Sequence, residues 1–210
     1  MEPIETAVKT AVTSALTGAS AQPTKAAPAA TKVWAEWFKL SLHSDPELER
    51  LVRKCADFAT AYQRSLPPRW ITILGESGIG KTHCARRLWD YSSRRANWMT
   101  ATYAKQPVYW PKFVSELRDG TAYGRLRDMM SWPILFIDDI GAERDPSGFA
   151  AEQLGMLLGC RENKWTILTS NLLLDQLGAI DPRISDRIIR APNLFIEVKT
   201  ESHALRTLKS

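Results

Sequence analysis

The sequence predicts an α/β domain in which helices cover both faces of a mostly parallel sheet. Apolar runs without polar alternation begin at Trp70, Pro133 and Trp165, and such runs are typical of strands buried on both faces. The first run leads into a glycine-rich loop, and His83 to Tyr91 then has the length and residue choice of a helix. Strand, glycine loop and helix follow one another in the order of a phosphate-binding unit.

Composition limits the size and class of the protein. The 210 residues, 44% of them hydrophobic, suffice for one domain of ordinary size with a small appendage. A formal charge of +5 is too small to establish a polyanionic partner by itself. Cys55, Cys84 and Cys160 form no C-x-x-C pair, so neither a disulfide framework nor a zinc site is indicated. With no long apolar run and no leader pattern, we expect no membrane partner and a cytoplasmic location.

Changes in composition divide the chain into three regions. Residues 1–32 are rich in Ala, Thr and Pro, and we expect a flexible tail. Residues 33–66 form a helical region, in which a helix begins at Ser44 or Asp45. Its aromatic cluster, Trp34, Trp37 and Phe38, either packs on this protein's own domain or anchors another protein. Residues 67–210 form the nucleotide-binding domain.

The glycine-rich loop matches the pattern G-x-x-x-x-G-K-[ST], the P-loop or Walker A motif. Its glycines let successive backbone N–H groups point at one phosphate, and the following helix adds the positive end of its dipole. Lys81 is expected to reach the β- and γ-phosphates of ATP, and the Thr82 hydroxyl to ligate Mg²⁺. The predicted nucleotide-binding residues are Gly75, Glu76, Ser77, Gly78, Ile79, Gly80, Lys81, Thr82 and His83.

Polar side chains end the next two buried strands. Asp138 and Asp139 follow the run 134–137 and form a Walker B motif. Asp138 is expected to hold Mg²⁺, and Asp139 to accept a proton from the attacking water or to orient it. Asn171 follows the strand that begins at Trp165, and there it can sense the γ-phosphate. Beyond it, a helix that begins near Asp181 carries several arginines, and a final strand spans Asn193 to Val198.

These motifs occur in the order seen in AAA+ ATPases. The run 136–141, followed by Arg-Ile-Ser-Asp-Arg-Ile at 183–188, makes the chain resemble the DnaC/DnaI group of helicase loaders, with IstB-like transposition ATPases as relatives. The resemblance covers about residues 70–198. It implies a five-stranded parallel sheet of order 5-1-4-3-2 between helices, without a C-terminal lid domain.

The resemblance also implies a function. The chain would be an ATPase that loads a replicative helicase, contacted through the N-terminal region, in DNA replication initiation in a bacterial or phage-infected cell. Such proteins work as oligomers, in which Arg187 would act in trans on a neighbour's γ-phosphate; Arg183 is a weaker candidate. Loaders of this group also touch single-stranded DNA. Aromatic and basic residues that suit such binding are Tyr103, Tyr109, Trp110, Lys112, Tyr123, Arg125 and Arg127.

Two alternatives stay open. One is an IstB-like helper ATPase that hands target DNA to a transposase. The other is a binding module that uses nucleotide only to stabilise its fold and hydrolyses little.

Overall fold

A computed structural model describes residues 28–40, 42, 45–94 and 106–209. Its sheet has five strands in the order β2-β3-β4-β1-β5, and all four pairings are parallel. Taken from the other edge, this is the order 5-1-4-3-2, so the predicted topology is confirmed. The strands are β1 Trp70–Gly75, β2 Val108–Tyr109, β3 Ile134–Ile140, β4 Trp165–Ser170 and β5 Leu194–Val198.

Helices cover both faces of this sheet. In the described ranges they are α1 Pro28–Phe38, α2 Pro46–Arg64, α3 Lys81–Ser93, α4 Trp110–Arg118, α5 Tyr123–Ser131, α6 Phe149–Gly159, α7 Leu174–Ile180, α8 Pro182–Ile189 and α9 His203–Lys209. The sequence pattern does not indicate α7 or α9. Each has seven residues, so an apolar stripe has too few turns to stand out from chance.

The three central strands are buried on both faces, as their apolar runs predict. Every residue of β1 and β4 is buried, and in β3 only Asp139 is not. Alternate residues enter two separate cores. Ile71 and Ile73 join the core beneath α1, α2 and α3, whereas Trp70 and Leu74 join the core beneath α4, α5 and α6. The sheet is therefore the middle of three layers.

The aromatic cluster of α1 packs on this protein's own domain, which answers one question that the sequence left open. Trp34 is 5% exposed and Phe38 is fully buried. Trp37 makes an edge contact with Tyr91, with ring centroids 5.6 Å apart, and Arg87 lies 4.8 Å over its ring. Both Trp34 and Phe38 therefore contribute to the core and are not free to anchor a partner.

A buried arginine just before β4 forms hydrogen bonds with two separate segments of the chain. Arg161 is fully buried, and burial lowers its pKa to about 9. Its guanidinium donates to the carbonyls of Met129 at 2.6 Å, Trp132 at 2.9 Å and Trp165 at 2.7 Å. Its Nε also donates to the Thr166 hydroxyl at 3.0 Å. One side chain thus joins the end of α5 to β4.

Asp45 caps α2 and also holds the segment after β5. Its carboxylate accepts hydrogen bonds from Glu47 N at 2.9 Å and from the Thr200 hydroxyl, and it forms an ion pair with Arg206 Nη1 at 3.5 Å. Burial alone would raise the pKa of Asp45, but these hydrogen bonds and the Arg206 charge hold it below its usual value. The carboxylate is therefore the favoured form in the folded state.

We expect Asp45→Asn to lower the free energy of unfolding by about 1 kcal/mol near neutral pH, because the amide loses the charge that faces the helix dipole and Arg206. A carboxyl with a lowered folded pKa contributes stability above its unfolded pKa and loses it as pH falls through the folded pKa. Urea unfolding of both proteins at decreasing pH should show the difference shrinking in acid. Asp128→Asn, at an exposed position of α5, is the control; a difference independent of pH would contradict the charge effect.

Candidate nucleotide-binding site

The P-loop lies between β1 and α3, at the carboxyl edge of the sheet. Gly75 has φ 138° and Gly78 has φ 80°, values that residues with a Cβ rarely adopt. A Cβ on Gly75 would lie 2.4 Å from the Val198 carbonyl oxygen, and one on Gly78 would lie 2.9 Å from Ser202 Cβ. These two glycines thus let the loop curve closely against the chain that follows β5. The His203 N–H also donates to the Gly78 carbonyl, at 2.8 Å.

Lys81 connects the P-loop to the end of β4. Its Nζ donates to the Glu76 carbonyl at 2.7 Å and to Asn171 Oδ1 at 2.8 Å. Burial lowers the pKa of Lys81, and the carboxylates of Asp139 and Asp138 oppose that shift. The carboxylates therefore offset only part of the cost of burying the ammonium group, which lies at the position predicted for phosphate binding.

Two hydroxyls converge on Asp138. The Thr82 hydroxyl donates to Asp138 Oδ1 at 2.9 Å, and the Thr169 hydroxyl donates to the same oxygen at 2.6 Å. Asp138 is 9% exposed. A hydroxyl and a carboxylate facing each other beside a phosphate-binding loop are the oxygen ligands that Mg²⁺ takes. The residues present therefore fit the predicted ion.

Asp139 points toward Asn171 and Lys81. It has φ 65°, an unusual value for a residue with a side chain. The Asn171 amide donates to Asp139 Oδ1 at 2.5 Å. Burial and the neighbouring Asp138 raise the pKa of Asp139. A carboxylate with a raised pKa accepts a proton more readily, so the site contains a group suited to act as a base.

These residues surround a cavity of about 410 Å³. His83 lines it, and its Nε2 lies 2.5 Å from the Phe38 carbonyl oxygen. Of the predicted loop residues, Gly75, Glu76 and Ile79 do not line it. The Ile79 side chain is fully buried in the core, so only its backbone can face a ligand. The residues that line the cavity are Ser77, Gly78, Gly80, Lys81, Thr82, His83, Tyr109, Asp138, Asp139 and Asn171.

Some side chains at this edge of the sheet have contacts that were not predicted from the sequence. Tyr109, predicted as a DNA-stacking residue, is a wall of the cavity because it pairs in register with Asp138. Thr169 was assigned no role from the sequence, although its hydroxyl donates to Asp138. Glu143 accepts from Trp110 Nε1 at 3.1 Å and from Gly141 N at 3.0 Å, and burial raises its pKa. Tyr109 could have been predicted only from the expectation that neighbouring parallel strands end at the same edge of the sheet. No sequence pattern indicates the contacts of Glu143.

The structure sorts the predicted DNA-binding residues. Trp110 is fully buried, so its prediction as a base-stacking residue is wrong: it begins α4 and faces the core. Tyr123 is 46% exposed, and the Lys112 side chain is 75% exposed. Arg127 is exposed, whereas Arg125 lies 3.8 Å from Glu116. Tyr103 is outside the described residues.

Arg187 lies far from the P-loop of its own chain. It lines a cavity of about 210 Å³ together with Trp70 and Asn163, which precede or begin strands at the amino edge of the sheet. The P-loop begins at the other end of β1, roughly 16 Å away at about 3.3 Å per residue. Arg187 Nη1 lies 3.9 Å from Glu162, whereas Arg183 pairs with Asp181 at 2.8 Å. A role for Arg187 within its own site is therefore excluded, and its role in trans stays a prediction.

The chain is similar in sequence to a curated protein and in fold to several solved structures. The chain is 29% identical over 140 residues to the replicative helicase loader DnaI of Bacillus subtilis (strain 168), a match that covers 64% of this chain and 43% of DnaI. A crystal structure of DnaI superposes with a TM-score of 0.57 and 24% identity, over 80% of this chain and 92% of that one. The crystal structure of the DnaC helicase loader superposes with a TM-score of 0.54 and 19% identity, over 78% of this chain and 99% of that one.

The structure of the replication initiator DnaA bound to AMPPCP and single-stranded DNA superposes with a TM-score of 0.54 and 17% identity, over 72% of this chain and 46% of that one. At these identities the structures establish a shared fold. The chain spans less than half the length of the curated relative that it matches. No family model matches it. Among residues 28–40, 42, 45–94 and 106–209, no helix has the length and apolar character that crossing a membrane requires.

Proposed function

We propose that this chain, a DnaC/DnaI-like AAA+ protein by sequence and fold, hydrolyses Mg-ATP and uses the cycle to load a replicative helicase onto single-stranded DNA. One observation carries the hydrolytic part of the proposal. Lys81, Asn171 and Asp139 form a hydrogen-bonded chain beside the Asp138–Thr82 pair, at the mouth of the P-loop. A cation for phosphate, oxygen ligands for a metal ion and a base for water are therefore together.

Each group has a definite task with ATP as the substrate. The P-loop N–H groups and Lys81 bind the phosphates and stabilise the charge that develops on the transferred phosphoryl group. Thr82 and Asp138 would hold Mg²⁺, which supplies further neutralisation of the phosphate oxygens. Asp139 orients the attacking water and accepts its proton, and Asn171 holds Asp139 in place. Hydrolysis thereby depends on residues from three strand ends.

The assembly and its partners form the second part of the proposal. Arg187 acts on the γ-phosphate of a neighbouring copy, which makes hydrolysis depend on side-by-side assembly. The N-terminal region, 33–66 with the tail before it, contacts the helicase. Exposed Lys112, Tyr123 and Arg127 are candidates for contacts with single-stranded DNA, since stacking groups and cations suit it. The DnaI match supports a replicative helicase as the partner, and the DnaA complex with single-stranded DNA supports DNA as a ligand for this fold. The cytoplasm is the expected place of action.

Asp139→Asn tests the hydrolytic part. We expect ATP hydrolysis to fall by about 10²- to 10⁴-fold, the usual contribution of a positioned base, while ATP binding stays near that of the wild type because Lys81 and the loop are unchanged. Phosphate release and binding of a fluorescent ATP analogue measure the two quantities. Asp128→Asn is the control for loss of an exposed carboxylate.

The outcomes separate the rival functions. A wild type that binds ATP without hydrolysing it would leave Asp139→Asn without effect and favour the nucleotide-stabilised binding module. Co-purification of the wild type with a transposase rather than a helicase would favour the IstB-like role. Hydrolysis that is equal in wild type and Asp139→Asn would remove Asp139 from the mechanism.

A further inference from the structure

We propose that Thr169 is a positioning residue that sets the geometry of both Asp138 and Asp139; the inference rests on the proposed function. Thr169 lies in β4 and is 1% exposed. Its hydroxyl donates to Asp138 Oδ1 at 2.6 Å and accepts from the Asp139 N–H at 2.9 Å. One hydroxyl therefore contacts the side chain of Asp138, the predicted metal ligand, and the backbone N–H of Asp139, the predicted base.

A β-bulge explains why this hydroxyl is needed. Ile137 pairs with Leu168 and Ile140 pairs with Ser170, so Asp138 and Asp139 together lie opposite Thr169 alone. A bulge of this kind interrupts the backbone ladder and redirects a side chain. The Asp139 N–H finds the Thr169 hydroxyl as its acceptor. Asp139, at φ 65°, then directs its carboxylate to Asn171.

Thr169 and Thr82 differ in what they can do for Asp138. Both donate to Oδ1, but Thr82 lines the cavity and is itself a predicted Mg²⁺ ligand. Thr169 is buried behind the carboxylate, within the sheet, so it can only orient it. Residues such as Thr169, which bond to a metal ligand without ligating the metal, fix the direction of that ligand. Their loss typically weakens metal binding by about 10- to 100-fold.

Thr72 supplies a matched control. It lies in β1, is fully buried, and its hydroxyl has no hydrogen-bond partner in the part of the chain that the structure describes. Thr72→Val therefore makes the same change of shape and polarity in a neighbouring strand without removing a bond. Thr169→Ser keeps the hydroxyl and is the conservative rescue of Thr169→Val.

The experiment measures nucleotide binding and backbone protection in the full chain. The affinity for a fluorescent ATP analogue is measured at increasing Mg²⁺ concentrations. The variants are compared by the Mg²⁺ concentration at which half of the Mg²⁺-dependent gain in affinity is reached. We expect Thr169→Val to raise that concentration about 10- to 100-fold, Thr169→Ser to change it by less than about threefold, and Thr72→Val to leave it as in the wild type. Affinity for the analogue without Mg²⁺ should change little.

A second measurement keeps the two proposals distinguishable. Amide hydrogen exchange of Asp139 in the nucleotide-free protein should be slow in wild type and Thr169→Ser and faster in Thr169→Val, whether or not the chain hydrolyses ATP. If the wild type shows no Mg²⁺-dependent binding, the proposed function fails, and Asp139 exchange alone decides the positioning role. A Thr169→Val variant with the same Mg²⁺ dependence and the same Asp139 exchange rate as the wild type would overturn the positioning role. Thr169→Cys, with a weaker donor, replaces Thr169→Val if that variant does not fold, and an intermediate shift is expected.

Discussion

Replacing Lys81 with alanine is expected to abolish ATP hydrolysis, and replacing Arg187 with alanine is expected to lower it by about 10³-fold or more. A mixture of the two variants should regain part of the activity. Lys81 lies within the cavity of its own chain, whereas Arg187 lies at the opposite edge of the sheet. A subunit with an intact Lys81 can therefore receive Arg187 from a neighbour that lacks Lys81.

Steady-state phosphate release, with and without single-stranded DNA, measures the two variants and their mixture. Arg183→Ala is the matched control, because Arg183 lies one turn earlier in α8 and its side chain, paired with Asp181, is 68% exposed. It should behave like the wild type. An Arg187→Ala variant with wild-type turnover would contradict the trans role, and a mixture no more active than its parts would show that the sites are not shared between subunits.

Arg161→Met is expected to have the largest effect on stability. The variant fills a similar volume but removes the guanidinium that donates to the carbonyls of Met129, Trp132 and Trp165 in the buried interior. Each unsatisfied buried carbonyl costs about 1–3 kcal/mol, so we expect the free energy of unfolding to fall by about 3–5 kcal/mol after local relaxation. Urea denaturation of the full chain measures it.

Arg127→Met is the control, since Arg127 is exposed on α5. Arg161→Lys retains a charge but has fewer donors with a different geometry, so its loss should be intermediate. An Arg161→Met variant as stable as the wild type would mean that the cost of burying the guanidinium had offset all four of its hydrogen bonds.

Several features encoded by consecutive residues were predicted correctly. The apolar runs identified β1, β3 and β4, and the Asp-Pro start identified α2. The pattern from Gly75 to Thr82 predicted the loop between β1 and α3, where the structure has it. Strand order came from the family resemblance of the motifs, not from the runs themselves. The roles of Asn171, Arg187 and the two Walker B aspartates stay predictions. Asn171 and both aspartates line one cavity.

Features that join distant residues could not be predicted. Tyr109 and Trp110 are neighbours in the sequence, yet one lines the cavity and the other is buried in the core. The self-packing of Trp34 was one of two open interpretations. Thr169 is 31 residues from the aspartate that it holds, and Arg161 is 32 residues from Met129. No spacing in the sequence marks either pair.

The sequence by itself determined the three central strands, the start of α2 and the position of the glycine-rich loop, because periodicity, glycine conformations and helix starts depend on neighbours a few residues apart. The tertiary structure decided which side chains meet, because burial and hydrogen bonding depend on how strands align. The bulge in β3 is the sharpest case. One extra residue opposite Thr169 turns Asp139 toward Asn171, and only the register between two strands 30 residues apart creates it.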